Sequence, residues 1–195
     1  IDADFLGSWL MPATYNHQFL ATRNDIKNMS QLVVFDSNYS LTGANADIRV
    51  KIKPSQQIDV VMAILNELSK LGADVNGDLK ATFADYASVG DEMGVDPELF
   101  KMIAKNLWDQ RGKAVVLAGG PATQTEWGTS LQVAVNYLNS LLNAEGNTIY
   151  SQAMGNLAGG AQQLFALVKA CGEGKVKTLI IHEANPFYAL PTQAW

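Results

Sequence analysis

Short runs of apolar, β-branched residues alternate along this sequence with longer segments that have helical periodicity. The runs at 31–35, 48–52, 114–118 and 176–182 have the length and composition of strands, and 147–150 is a shorter candidate. Between them, apolar residues recur at helical spacing in 15–28, 56–70, 97–110, 126–142 and 161–171. This alternation predicts an α/β fold in which helices cover both faces of mostly parallel sheets.

Glycines and polar residues divide the chain further. The break near residues 110–113 predicts two Rossmann-like, three-layer units, 1–112 and 113–195. Asp96 followed by Pro97 predicts a helix start, and Ser55 is a candidate cap for the preceding long helix. The chain opens at Ile1 without an initiator methionine or leader, and residues 1–5 resemble the end of a strand, so we expect a fragment of a larger protein.

Composition and charge exclude several classes of function. The formal net charge is −5, which argues against a nucleic-acid surface because phosphate binding needs clustered Lys and Arg. The sequence contains no run of about eighteen apolar residues, so it predicts no membrane span. Cys171 is the single cysteine, and His17 and His182 lack metal-ligand spacing, so we expect no metal or iron–sulfur site in this chain.

Ligands of α/β proteins bind at the carboxyl ends of strands, and four such places are predicted here. They are the loops 2–7, 36–47, 119–124 and 183–186. Asp36 could accept a hydrogen bond from a ribose or could cap the next turn. Gly119 and Gly120 could admit a phosphate, although they form no GxGxxG motif or P-loop.

The residues alone predict no active site, because no nucleophile–base arrangement is visible. Asp2 and Asp4 alternate along the candidate strand, so we expect them to face opposite sides and not to form an acid/base pair. Five aromatic residues are predicted to pack in the core rather than to stack on a cofactor, namely Trp9, Phe19, Trp108, Trp127 and Phe165.

The order of these segments resembles the molybdopterin oxidoreductase family, the group of formate dehydrogenase and dimethyl sulfoxide reductase. The resemblance covers essentially the whole chain and depends on the ordered series of motifs. The matching segments are Asp2-Ala3-Asp4-Phe5, Asp36-Ser37-Asn38, Thr42-Gly43-Ala44-Asn45-Ala46-Asp47, Pro54-Ser55-Gln56-Gln57, Gly94-Val95-Asp96-Pro97-Glu98, Ala114 to Gly120, Leu138-Asn139 and Ala184-Asn185-Pro186.

Catalytic members of that family hold the guanosine ends of a molybdenum bis-pterin cofactor in these loops. If a guanosine-type cofactor is retained, the resemblance implies that its contacts are Asp36, Asn38, Asp47, Gly119 and Asn185. Three departures argue against a bound guanine dinucleotide. Asn38 replaces an arginine, Ser55-Gln56-Gln57 replaces Gly-Thr-Asp, and Glu183 replaces a glycine.

The segments 2–7 and 41–47 are most similar to one branch of the family, the molybdopterin-like subunit of alternative complex III. This resemblance implies a non-catalytic scaffold domain with no cofactor of its own, in a quinol-oxidising complex at the periplasmic face of the membrane. The implied partners are cytochrome and integral membrane subunits, and iron–sulfur clusters would belong to other parts of the parent protein. Contact candidates are Trp9, Tyr15, Phe187, Tyr188 and Trp195.

Two alternatives remain open from the sequence. The chain could be the cofactor-binding domain of a catalytic molybdopterin oxidoreductase, which would hold the guanosine ends through Asp36 and Asn185. It could also be an independent nucleotide-binding module, although its missing termini count against that hypothesis.

Overall fold

A computed structural model of the chain describes residues 1–150 and 161–190. The fold is mixed α/β, as predicted. The chain divides into two compact units, Ile1–Ser151 and Gln152–Trp195. Residues 113–150 therefore share a compact unit with residues 1–112, and the predicted division at 112/113 into two Rossmann-like units stays a prediction.

Two short strands form the sheet of the first unit. β1 (Val33–Asp36) and β2 (Ile48–Lys51) pair in parallel, with Val33 opposite Ile48 and Asp36 opposite Lys51. The first two residues extend this arrangement without forming a strand. The Asp2 N–H donates to the Phe35 carbonyl at 2.8 Å, and the ammonium group of Ile1 donates to the Leu117 carbonyl at 2.6 Å. They connect β1 to the segment 114–118.

The other predicted strands do not form within the described residues, where ladder hydrogen bonding is confined to β1 and β2. At 1–5 the chain turns, because Asp2 has a φ of 46° and the amides of Gly7, Ser8 and Trp9 all donate to the Asp4 carbonyl. At 114–118 a side chain of a helix takes the place of a neighbouring strand. At 147–150 there is a single bridge, between Glu145 and Ile149, and 176–182 has no paired strand in the described part of the chain.

Seven helices of the first unit and two of the second lie in the described residues. The first-unit helices are α1 (Pro12–Ala21), α2 (Leu41–Ala44), α3 (Gln57–Lys70), α4 (Gly77–Ala84), α5 (Val89–Met93), α6 (Pro97–Asp109) and α7 (Gly128–Leu141). The second unit contains α8 (Ala161–Gly172) and α9 (Pro186–Ala189). Short 3-10 turns occur at Pro54–Gln56 and Pro121–Thr123. The predicted helices α3, α6, α7 and α8 are confirmed to within about two residues. By contrast, α1 begins and ends earlier than predicted, and α2, α4, α5 and α9 were not predicted.

Local capping explains where two helices start. Asp96 Oδ1 accepts from the Glu98 N–H at 2.9 Å, and Pro97 needs no partner for a missing N–H, so α6 begins where the sequence predicts. Ser55 does not cap α3, contrary to the sequence-based expectation. It lies inside the 3-10 turn, and Gln56 Oε1 instead accepts from the Lys53 N–H at 2.9 Å.

α3 is the centre of the first unit's core. It buries Val60, Val61, Ile64, Leu65 and Leu68 against α4, α6, α7 and one face of the sheet. That sheet face consists of alternate residues, including Phe35, whose ring stacks on Phe100 of α6 at 5.8 Å. The opposite face carries Asp36 and Arg49, and Gly43 of α2 packs against both. Helices therefore lie on both sides of the strand pair, with the four-residue α2 on the side of Asp36 and Arg49.

Five aromatic residues expected in the core are not buried. Trp9, Phe19 and Trp108 are half-buried, Trp127 is 59% exposed, and Phe165 of the second unit is 42% exposed. Two of these rings are covered by guanidinium groups. Arg23 lies 4.5 Å from the Phe19 centroid, and Arg111 lies 3.6 Å from that of Trp108. Long cationic side chains therefore help to shield these two rings, and Trp108 also packs against the edge of the core.

No helix in residues 1–150 or 161–190 combines the length and apolarity that crossing a bilayer requires. In the second unit, the predicted strand region includes three exposed apolar side chains, Leu179, Ile180 and Ile181. Trp195, a predicted contact residue, lies outside the described residues.

Candidate functional site

The candidate site is the carboxyl edge of the strand pair, where β1 ends at Asp36 and the chain turns towards α2. The loop 4–11 and the loop 119–127 meet this edge as well, because Ile1 and Asp2 connect β1 to segment 114–118. In an α/β arrangement this is the edge at which ligands bind. The side chains that fill it decide what could bind there.

Asp36 is buried at this edge, with a relative exposure of 2%. Its Oδ1 lies 2.6 Å from Arg49 Nη2 of the adjacent strand, an ion pair whose angles are not those of a hydrogen bond. Its Oδ2 accepts from Ser40 Oγ at 3.2 Å. Ser40 itself caps α2, because its Oγ accepts from the Gly43 N–H at 2.9 Å, and Arg49 neutralises the buried charge of Asp36.

The structure does not bring Asp47 to the same edge. Asp47 precedes β2, and its carboxylate accepts from Arg23 Nη1 and Nη2 at 2.7 and 3.0 Å and from the Leu32 N–H at 2.7 Å. These contacts tie together the amino ends of the two strands. The hydrogen bond from Arg23, followed by that of the Leu32 amide, lowers the pKa of Asp47 despite partial desolvation.

Asn38 lies at the carboxyl edge, and its side chain is exposed. Asn185 belongs to the second unit. There its Oδ1 accepts from the Tyr188 N–H at 3.2 Å and caps α9. Of the five predicted cofactor contacts, the structure therefore places Asp36, Asn38 and Gly119 at the carboxyl edge of the first unit.

The glycine turn at 119–120 is covered by other parts of the chain. A Cβ at Gly119 would lie 3.2 Å from the Trp9 ring, and one at Gly120 would lie 2.8 Å from the Asp2 carbonyl oxygen. Gly120 has a φ of 123°, a conformation that is open essentially to glycine alone. The two glycines thus accommodate the indole of Trp9 and the main chain of Asp2.

Sequence reasoning missed the part played by Asp2. Its Oδ1 accepts from the Ser37 N–H at 2.7 Å and from Ser37 Oγ at 2.9 Å. Its Oδ2 accepts from Gln57 Nε2 at the start of α3, and that same nitrogen donates to the Ala122 carbonyl at 3.0 Å. This network joins the amino-terminal residues, the end of β1, α3 and the loop 119–127.

Asp4 makes a second set of internal contacts. Its Oδ1 accepts from the Thr42 N–H at 3.0 Å and from Thr42 Oγ1 at 2.8 Å, and Thr42 Oγ1 accepts from the Leu6 N–H at 3.0 Å. Desolvation raises the pKa of Asp4, but hydrogen bonds from Thr42, Ser8 and Gly7 together outweigh it and leave the pKa below its ordinary value.

The expectation that Asp2 and Asp4 face opposite sides of a strand was wrong. That expectation assumed the two-residue alternation of a strand, which the positive φ of Asp2 breaks. Both carboxylates consequently reach the loops at the carboxyl end of β1. A signal was present in the sequence, since serine and threonine follow Asp36 closely and are natural donors to carboxylates.

The described residues contain no group of three or more His, Cys, Asp or Glu side chains able to hold a metal ion. Two of the clefts in the described part of the first unit lie elsewhere. One, of about 190 Å³, is lined by α3, α6 and the segment 86–90, including Glu67, Tyr86 and Lys101. The other is a shallow depression along α6. Neither is lined by the residues of the carboxyl edge.

The sequence matches no protein-family model, and no curated protein matches it significantly. A functional proposal for this chain therefore depends on the sequence resemblance described above and on the geometry of the site.

Proposed function

We propose that this chain is a non-catalytic, molybdopterin-oxidoreductase-like scaffold domain from a subunit of a respiratory, quinol-oxidising electron-transfer complex. In this proposal the chain comprises two Rossmann-like units, and its role is to hold a shape to which cytochrome and integral membrane subunits attach. The fold supports the proposal at the coarse level only, through a parallel strand pair with helices on both sides.

One observation supports the non-catalytic role most directly, namely the occupation of the carboxyl edge by the chain itself. The amide of Ser37 donates to Asp2, and the amide and hydroxyl of Thr42 donate to Asp4. Main-chain amides in such loops are the donors that a bound phosphate or ribose would need. A nucleotide would have to displace two carboxylates that are already hydrogen-bonded.

Charge and shape add to the same argument. Two internal carboxylates would repel the phosphates of a guanine dinucleotide, and the Arg49 guanidinium is paired with Asp36. The indole of Trp9 lies against Gly119, where a pyrophosphate would approach the main chain. These contacts support a fold whose ligand-binding edge is filled by its own side chains.

The decisive experiment measures the molybdenum and pterin content of the full-length parent protein purified from its native host. Elemental analysis and the fluorescence of oxidised extracts would provide the two values. We expect neither molybdenum nor pterin in stoichiometric amount. Stoichiometric molybdenum with pterin would reject the scaffold proposal and favour the alternative, a catalytic cofactor-binding domain that uses Asp36 and Asn185.

A second experiment tests the edge in the isolated chain. Guanosine monophosphate would be titrated into the ¹⁵N-labelled protein while the amide signals of Ser37, Thr42 and Gly119 are followed. We expect no saturable shift. Asp4→Ala provides the matched variant, because it removes one of the internal carboxylates; saturable binding by the unmodified chain at these amides would contradict the proposal.

A further inference from the structure

The outer edge of β2 has no paired strand within the described residues. The Ile48 N–H donates to the Leu32 carbonyl and the Ile52 N–H donates to the Asp36 carbonyl. In a parallel ladder, alternate residues bond to the same neighbour, so the N–H groups of Arg49 and Lys51 point away from β1. They form an open edge.

This edge carries a basic row. Arg49, Lys51 and Lys53 alternate along the chain, which places their side chains on one face. Arg49 pairs with Asp36, but Lys51 and Lys53 are exposed, and neither ammonium group has a carboxylate partner among the described residues. Two such cations are notable in a chain whose formal net charge is −5.

An exposed aromatic ring adjoins the basic row. Tyr39 is 75% exposed, and its ring lies 4.6 Å from the guanidinium carbon of Arg49. The aliphatic side chain of Leu41, two residues further along, is 50% exposed. Exposed tyrosine next to arginine is a composition typical of residues that dominate protein interfaces.

We propose that the outer edge of β2 binds an extended acidic segment of a partner protein by β-strand addition. The main chain of the segment would accept from the Arg49 and Lys51 amides, its carboxylates would pair with Lys51 and Lys53, and an apolar side chain would cover Tyr39. The inference rests on the proposed function, for which it names the chemistry of one partner.

Charge selects this occupant over a second copy of the chain. Pairing two β2 edges would bring Lys51 and Lys53 of each copy close to those of the other, and like charges across adjacent strands are destabilising. Lysines on a short edge strand also protect against unselective pairing. Lys51 and Lys53 would instead attract a strand that carries acidic side chains.

Two synthetic peptides test the inference with the 195-residue chain. The first is an alternating Glu–Val heptapeptide, and the matched control is the alternating Lys–Val heptapeptide. Binding would be followed by amide shifts and by hydrogen-exchange protection at Arg49 and Lys51. We expect the acidic peptide to bind and to protect these two amides, and the basic peptide to bind at least about tenfold more weakly.

The double variant Lys51→Glu, Lys53→Glu should reverse this preference, while its circular dichroism spectrum stays unchanged. Equal binding of both peptides, protection confined to other amides, or no binding of the acidic peptide by the folded chain would overturn the inference. Since the chain in this assay contains no added molybdenum or pterin, these outcomes are independent of the metal analysis that tests the scaffold proposal.

Discussion

The side-chain amide of Asn139 makes two hydrogen bonds to the main chain of Val116, each 2.8 Å long. Asn139 Oδ1 accepts from the Val116 N–H, and Nδ2 donates to the Val116 carbonyl. Asn139 belongs to α7 and is 2% exposed. The amide therefore takes the place of a strand beside the segment 114–118, where Gln132 Nε2 also donates to the Ala118 carbonyl at 2.9 Å.

We expect Asn139→Ala to destabilise the first unit by about 3 kcal/mol, because an N–H and a carbonyl would both lose their partner inside the protein. Urea unfolding gives the measurement. Asn147→Ala is the control, since Asn147 makes a single exposed bond to the Asn143 carbonyl, and we expect a loss below about 1 kcal/mol. Equal losses for the two variants would show that the contact with Val116 contributes no special stability.

Gly43 is expected to tolerate no side chain. A Cβ there would lie 2.2 Å from Asp36 Oδ2 and 3.1 Å from Arg49 Nε. Gly43→Ala should therefore destabilise the chain by about 2 kcal/mol, because it overpacks a buried ion pair. Gly77→Ala at the start of α4 is the matched control, because a Cβ there meets nothing within 4 Å. It should leave stability unchanged or raise it by about 0.5 kcal/mol. Similar thermal midpoints for the two variants would contradict the predicted clash.

Ionised Asp4 should stabilise the folded chain, and this stabilisation should be lost in acid. Its pKa is lowered from the ordinary value of 3.8 in the folded chain, so the unfolded state takes up the proton first as the pH falls. The stabilisation by Asp4 is complete above the pKa that Asp4 has in the unfolded state. It is lost as the pH falls through the pKa that Asp4 has in the folded state. Urea midpoints measured along a pH series should fall less steeply in acid for Asp4→Asn than for the exposed control Asp85→Asn. A profile for Asp4→Asn that is parallel to the parent would refute this contribution.

The amino group of Ile1 gains a charge on protonation, whereas Asp4 loses one. Protonation of either group should nevertheless make the folded state less stable as the pH falls. Burial lowers the pKa of the Ile1 amino group from 8.0 to about 6, partly offset by Asp2 and Asp36. The folded state therefore binds this proton less readily than the unfolded state, and stability falls as the pH drops. The expected loss between pH 8 and pH 6 is about 2 kcal/mol for a chain with a free amine at Ile1. Chemically acetylated chain should lack this slope, and an identical slope in both would assign it to other groups.

Local signals predicted the four longest described helices, α3, α6, α7 and α8. Asp96 and Pro97 determine the start of α6 through contacts within three residues, and the apolar stripe of α3 gives it a buried face in any compact fold. Strands depend on partners that are distant in the sequence. The apolar segment 114–118 has the composition of a strand, yet the helical residue Asn139 satisfies Val116. Helices α4 and α5 are short and have few apolar residues to reveal their period.

The location of the candidate site could be predicted from the sequence, but the side-chain contacts that fill it could not. Because ligands of α/β proteins bind at the carboxyl ends of strands, the sequence predicted a site near Asp36 and Gly119. Asp36 forms an ion pair with Arg49 on the adjacent strand. The ring of Trp9, which is distant in the sequence, packs against Gly119. Side-chain pairs of this kind depend on register and on one positive φ at Asp2, which single-residue patterns do not encode. The predicted roles of Asn38, Asp47 and Asn185 towards a guanosine-type cofactor stay predictions.

The position of α3 has a consequence for how the first unit opens. Because α3 contacts α4, α5, α6 and α7, no one of these neighbours can leave without exposing apolar surface on the shared helix. Amides in the middle of α3 should therefore exchange with solvent deuterium only through global unfolding, whereas those of α1, which buries no residue, should exchange through local fraying. The first unit would then have a slow-exchanging centre formed by one helix and a periphery that opens freely around the amino-terminal turn.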